Sequence, residues 1–439
     1  MNRRAVILAL SATLLVVPIL RAEVLATAKP ESVGLSTERL AHLRRAMQEH
    51  VDEGRVAGIV TYIARGGRVA HLEAFGQADV EAKRPMREDT IFRIASQTKA
   101  LTSVAVMMLV EEGRIALSDP LSRFIPAFEK TTVAVAPPEG AVAGSPVSVV
   151  PARRKVTIRD LLTHTAGIGY GEGVAAYVWK AAGIQGWYFA DRAEPVSAVV
   201  ERMAALPMDA QPGEKFVYGY NTDILGAVVE KVSGLTLAEF FETRITSPLG
   251  MVDTHFYLPP AQKDRLAAVY AAQDGKIERA TDPKTGQGQY VAGPRMAFSG
   301  GAGLLSTAGD YGRFLQMMLG GGALDGVRLL SPRTVELMTV NHTGSLLPEA
   351  WTGRTGLGFG LGFEVTTDLG RAARHDSVGA YGWGGAYHTV YWVDPEEQLV
   401  ALLMTQLLPA GDSDLHSKFR ALVYQSIVAP PPPGPAARR

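Results

Sequence analysis

Ser96 and Lys99 stand three residues apart in the run IFRIASQTKALTSVAVMMLVEEG. Residues at that spacing share a helix face, so the Lys99 amine can reach the Ser96 hydroxyl. A serine hydroxyl is a weak nucleophile until a neighbouring base takes its proton, and a desolvated lysine amine or a tyrosine phenolate can do that without any histidine. The run passes from a strand-like start into an apolar helical stretch that stops near Gly113, which places Ser96 at the helix start. There the positive end of the helix favours a developing oxyanion, so type and spacing point to acyl transfer. The same tetrapeptide also arises by accident, with Ser96 only capping the helix and Lys99 reaching to solvent. Its flanking sequence has to decide.

Other chemistries find less support. There is no Gly-x-Ser-x-Gly elbow for an α/β-hydrolase nucleophile. The nine histidines include His164 in THTAG, His375 and His388, yet none falls in HExxH or a similar ligand spacing, so no metal site is expected. Gly356, Gly358, Gly360 and Gly362 fail the GxGxxG pattern and sit in a strand-like run, so no nucleotide and no other cofactor is implied. The pairs Met107-Met108 and Met317-Met318 lie in apolar helical stretches and are expected to fill the core.

The elements that must position Ser96 and Lys99 come from an ordinary globular composition. The 439 residues are 47% hydrophobic and 20% charged, with lysine plus arginine equal to aspartate plus glutamate at 44 each. That balance gives no basic excess to track a nucleic acid or an anionic membrane surface. Arg3 and Arg4 precede an apolar run from Ala5 to Leu20, with Ala22 and Ala26 as cleavage points, which predicts a secretory signal over 1–26 and export to the periplasm or beyond. The run is too short to span a bilayer, so no stable membrane anchor is expected after cleavage. There is no cysteine, and so neither a lipid-attachment site nor a disulfide.

STERLAHLRRAMQEHVDEG from Ser36 predicts a capped amphipathic helix, and IVTYIARGGRVAHLEAFGQAD a hairpin turning at Gly66-Gly67. Helical segments such as VTIRDLL and TDILGAVVEKVSG then dominate. Strand-like runs return in FGLGFEVTT, AYHTVYWVD and QLVALLMTQ, before a last helix at LHSKFRALVYQSIV. The expected fold is therefore mixed α/β, of the α+β kind: a largely antiparallel sheet flanked by helices, with an inserted helical subdomain. The sheet domain would be discontinuous, over 27–116 and 295–428, around a helical subdomain at 117–294. The stretch from Glu129 to Lys155 shows no sustained period and is expected to be a surface excursion. The proline-rich tail 429–439 is expected to be disordered.

Taken together these blocks resemble the β-lactamase-like serine hydrolases, which include class C β-lactamases, D-alanyl-D-alanine peptidases and family VIII carboxylesterases. FRIASQTKALTSVAVMMLVEEGRIALSDPLSRFIPAF, VTIRDLLTHTAGI, FVYGYNTDILGAVVEKVSG, SPLGMVDTHFY, GGAGLLSTAGDYGRFLQMM and GAYGWGGAYHTVYWVDPEEQLVALLMTQ carry the resemblance, in family order over nearly all of the mature chain. It implies Ser96 as nucleophile, Lys99 beside it, and Tyr218 of Tyr218-Gly219-Tyr220 as partner base. An ammonium stabilises a nearby phenolate, and the same pair can return a proton to the leaving group. Tyr220 stands where the family often has Asn, and Asn221 follows.

Trp383-Gly384-Gly385 stands at the third motif, usually Lys-Thr-Gly or His-Thr-Gly. The glycines would let substrate approach the strand, and by analogy the N–H groups of Ala386 and Ser96 would form the oxyanion hole. With tryptophan at the first place, the cation and hydroxyl that would hold a penicillin or peptide carboxylate are missing. The pattern therefore favours a small-molecule ester over an amide substrate. Two rivals stay open: a D-Ala-D-Ala peptidase or β-lactamase in which Arg295 replaces the missing lysine, and a catalytically silent receptor for cell-wall fragments or β-lactams.

Overall fold

The computed structural model describes residues 26–136, 147–273, 275–281, 286–349, 353 and 355–431. The expected signal segment, apart from Ala26, and the end of the proline-rich tail lie outside the described residues.

Eight strands form one antiparallel sheet. In chain order they are β1 (Gly58–Arg65), β2 (Arg68–Asp79), β3 (Arg84–Pro85), β4 (Leu357–Phe359), β5 (Glu364–Thr366), β6 (Tyr381–Gly385), β7 (Thr389–Asp394) and β8 (Leu399–Met404). Their spatial order is β4-β5-β6-β7-β8-β1-β2-β3, so three strands from the front of the chain complete a sheet whose other five come from near its end. The β1–β2 turn uses Gly66 and Gly67 at φ 57° and 76°, the left-handed pair that a tight hairpin needs and that only glycine adopts without strain.

Strand alternation assigns side chains to two cores. Val60, Tyr62 and Ala64 of β1 join Val400, Leu402 and Met404 of β8 on the inner face, where the register pairs Val60 with Met404 and Tyr62 with Leu402. Ile59 and Ile63 join Leu399, Ala401 and Leu403 on the outer face. Both faces are covered, which is why these strands read as continuous apolar runs.

Five helices matter most. The outer face carries α1 (Thr37–Asp52) and α5 (Leu415–Gln425), which bury Leu40, Leu43 and Met47 against Leu415, Phe419 and Val423. Ser36 caps α1 by accepting from the Arg39 N–H. The inner face carries α2 (Thr98–Glu111) and α4 (Ala308–Leu319), and α3 (Asn221–Ser233) packs on α2. Nearly every residue of α2 is buried, as an all-round apolar helix must be. Met107, Met108, Met317 and Met318 lie in this inner core.

The stretch around Glu129 to Lys155 differs from expectation: its described ends pair as a hairpin, Thr132–Val135 with Ser148–Pro151. Its few valines, three of them exposed, make too short a pattern to show a period. Among the described residues no helix is long and apolar enough to cross a membrane.

Candidate active site

Ser96 lies in a single 3-10 turn, Ala95–Gln97, that runs straight into α2. The turn is forced by Ala95, which sits at φ 40°, a left-handed conformation that an alanine adopts only where surrounding packing imposes it. Ala95 is buried. The result is a half-buried Ser96 presented at the helix start, with Lys99 one turn further on.

Lys99 does not reach to solvent. It is 1% exposed, and its Nζ donates to Ser96 Oγ at 3.2 Å, to the Gly301 carbonyl at 2.8 Å and to Tyr170 Oη at 3.1 Å. The same Nζ lies 4.6 Å from the centre of the Tyr218 ring, close enough for a cation–π contact. Tyr218 enters from the loop before α3, and its Oη accepts from Trp383 Nε1 of β6 at 3.0 Å. The Tyr218 ring is wedged between those of His164 at 4.6 Å and Trp383 at 5.5 Å. The structure thus brings Ser96, Lys99, Tyr218 and Trp383 into one cluster.

Gly384, Gly385 and Ala386 complete the cleft wall. A Cβ on Gly385 would stand 2.3 Å from the Ile94 carbonyl, so only glycine lets the strand close on the segment that carries Ser96. The cleft is a cavity of about 720 Å³ lined by Ser96, Tyr170, Tyr218, Trp383, Gly385 and Ala386 among others.

Tyr220 and Asn221 do not supply the amide that the second motif often carries. Tyr220 is fully buried and donates to the Gly186 carbonyl at 2.7 Å. Asn221 turns its amide inward, to His164 Nδ1 at 2.9 Å and to the carbonyls of Ile168 and Val217. Burial, with Lys99 nearby, holds His164 well below the ordinary imidazole range, so it stays neutral behind Tyr218. Arg295, the substitute for the missing lysine in the rival peptidase or β-lactamase reading, lies elsewhere: it donates to the Leu258 carbonyl at 2.6 Å and lines a different cavity.

Two residues near Lys99 escaped the sequence reading. Tyr170, from GIGYGEG, hydrogen-bonds Lys99, and burial with the neighbouring Tyr218 pushes its phenol well up, so it remains protonated. Asp223 on α3 is 1% exposed and accepts from Ser299 Oγ at 2.6 Å and the Gly301 N–H at 3.1 Å. It thereby fixes the turn whose carbonyl anchors Lys99. Burial raises its pKa and the Lys99 charge opposes that rise. A carboxylate inside the apolar run TDILGAVV was the one signal that could have flagged it.

The sequence pattern of the family described as Beta-lactamase matches residues 43–425. Esterase EstB from Burkholderia gladioli is 33% identical over 408 residues, 88% of this chain and 96% of that protein. Lovastatin esterase from Penicillium rubens is 32% identical over 412 residues, 87% and 98% of the two chains. Among solved structures, EstCE1, described as a hydrolase with promiscuous acyltransferase activity, superposes with a TM-score of 0.74 at 28% identity, over 88% of this chain and 99% of its own. Extent and architecture agree, and the chain belongs to the Beta-lactamase family.

Proposed function

We propose that the protein hydrolyses carboxylic esters through an acyl-enzyme on Ser96. The observation that carries this reading is the Lys99 side-chain nitrogen, buried and held 3.2 Å from Ser96 Oγ with the Tyr218 ring against it. Ser96 Oγ attacks the ester carbonyl, and its proton passes to the unprotonated member of the Lys99 and Tyr218 pair, amine or phenolate. Collapse of the tetrahedral intermediate breaks the bond to the alcohol oxygen, which takes that proton. Water then attacks the acyl-enzyme and gives a proton to the same pair, and collapse releases the acid while Ser96 Oγ takes that proton back. The N–H groups of Ser96 and Ala386 would hold the oxyanion in both steps.

Ester is favoured over a carboxylate-bearing amide by the charges of the cleft. Its arginines are already engaged, Arg374 with Glu364 and Arg420 with Asp376, while Glu172 and Asp209 add further negative groups. A penicillin or peptide carboxylate would meet no uncommitted cation among these lining residues. Tryptophan at position 383 spends its N–H on Tyr218 and offers substrate an apolar wall. The names of Esterase EstB and lovastatin esterase agree with this choice. The reading includes export on a cleaved N-terminal signal, and a cleft shared by the 27–116 plus 295–428 sheet domain and the 117–294 segment.

Ser96→Ala should abolish turnover of p-nitrophenyl butyrate while leaving the circular dichroism spectrum and thermal midpoint unchanged. Retained turnover would exclude Ser96 as nucleophile.

A further inference from the structure

The active-site cavity does not end at the cleft. β5 pairs with β6 only at Tyr381 and Gly382, so Trp383 to Gly385 present an edge to which β5 does not bond. Across the sheet, Glu364, Gly382 and Trp392 stand in one row. Paired residues of antiparallel strands share a face. Trp392 packs on Phe419 of α5 with ring centres 5.3 Å apart, which puts this row on the outer face, opposite Trp383. Gly382 and Gly384 leave that side of β6 bare, and the 720 Å³ cavity continues over it to Asp376, Trp392 and Arg420. From Gly385 beside the Ser96 turn to Gly382 is roughly 10 Å at about 3.3 Å per residue.

This far lobe holds unanswered hydrogen-bonding groups. Asp376 is 2% exposed; its Oδ2 accepts from Thr366 Oγ1 and Arg420 Nη1, both at 3.0 Å, while its Oδ1 is buried without a partner. Trp392 is 1% exposed and its Nε1 also lacks a partner. Unpaired buried donors and acceptors are costly, so an acceptor and a donor beside one cavity mark a place for a group that can answer both. Charge narrows the choice. Arg374 is bonded to Glu364 and Arg420 to Asp376. A carboxylate would meet two acids, and an ammonium two arginines. A neutral hydroxyl matches, accepting from Trp392 Nε1 and donating to Asp376 Oδ1.

We propose that the far lobe is a subsite for a neutral hydroxyl carried at the distal end of the substrate, taken by Trp392 and Asp376. The proposal rests on the ester-hydrolase reading above and names its substrate class: esters with a hydroxylated tail. Two substrate pairs test it in the intact protein, p-nitrophenyl hexanoate against p-nitrophenyl 6-hydroxyhexanoate, and hexyl butyrate against 6-hydroxyhexyl butyrate. The hydroxylated member of at least one pair should have the higher kcat/KM by about tenfold, the effect of one well-made hydrogen bond. Trp392→Phe and Asp376→Asn should each bring that ratio towards one. Ratios of one or below in both pairs in the wild type would overturn the subsite without need of any variant, leaving the lobe to water. A high ratio untouched by both substitutions would also overturn it, placing the hydroxyl elsewhere. Silence toward all four esters would instead defeat the ester-hydrolase reading itself.

Discussion

At the scale of single residues, the proposed reaction centre turns on one buried lysine nitrogen that is shared. Lys99 Nζ touches the Ser96 hydroxyl, the Tyr170 hydroxyl and a backbone carbonyl, and lies over the Tyr218 ring. Tyr170 is held protonated by burial, so the proton carrier we propose is Tyr218. Tyr218→Phe keeps the ring between His164 and Trp383 and removes only the oxygen. It should lower kcat for p-nitrophenyl butyrate by ~10² to 10⁴-fold at unchanged thermal midpoint. A rate within a few-fold of wild type would pass the proton-carrying role to Tyr170. Ser96 and Lys99 were legible because helix spacing brings them together and the flanking blocks set that spacing apart from accident. Tyr218 and Trp383 needed the family resemblance, since nothing local relates positions so far apart in the chain. Tyr170 was hidden for a further reason. Its loop is shaped by Gly167 at φ 83°, where a Cβ would stand 2.0 Å from the Ala210 carbonyl, a constraint set by a distant strand of chain.

At the scale of elements, the proposed catalysis would depend on how closely β6 approaches the Ser96 turn. Gly385 is the contact point, 2.3 Å from the Ile94 carbonyl and 2.4 Å from Thr389 Oγ1 by the position its Cβ would take. Gly385→Ala must push strand and turn apart, because the nearest obstacle is backbone. Displacement of the oxyanion donors by about 1 Å should reduce kcat/KM by at least ~10²-fold. Steady-state kinetics on soluble, folded variant would check this, and near-normal activity would show that the strand can yield without harm. Most elements were visible beforehand: the α1 cap at Ser36, the glycine turn between β1 and β2, and the C-terminal strands all follow local rules. The hairpin at Thr132–Val135 and Ser148–Pro151 was not, because four-residue strands with exposed valines carry little alternation.

At the scale of the whole molecule, the middle segment is tied to the sheet by buried polar contacts whose charge state depends on pH. Asp310, in the first turn of α4, accepts from the Asp253 N–H at 2.7 Å and Thr254 Oγ1 at 3.0 Å. Burial pushes its carboxyl up to about 6. An ordinary aspartate loses its proton near pH 4, so between these values the folded chain holds a proton that the unfolded chain has shed. This contribution is complete below about pH 4 and is lost as pH rises through about 6, by on the order of 3 kcal/mol. Asp310→Asn removes the titration. Relative to wild type, the variant should gain that amount between pH 4 and pH 7 in chemical denaturation, and a constant difference would refute the assignment.

The sheet, its two cores and the cleft all serve to hold one serine beside one buried lysine. The most direct check is to treat the protein with a fluorophosphonate probe and locate the adduct by peptide mass mapping. A single modification on Ser96, lost in Ser96→Ala and slowed in Tyr218→Phe, is the predicted result. An unlabelled protein, or label on another residue, would contradict an activated nucleophile at this position.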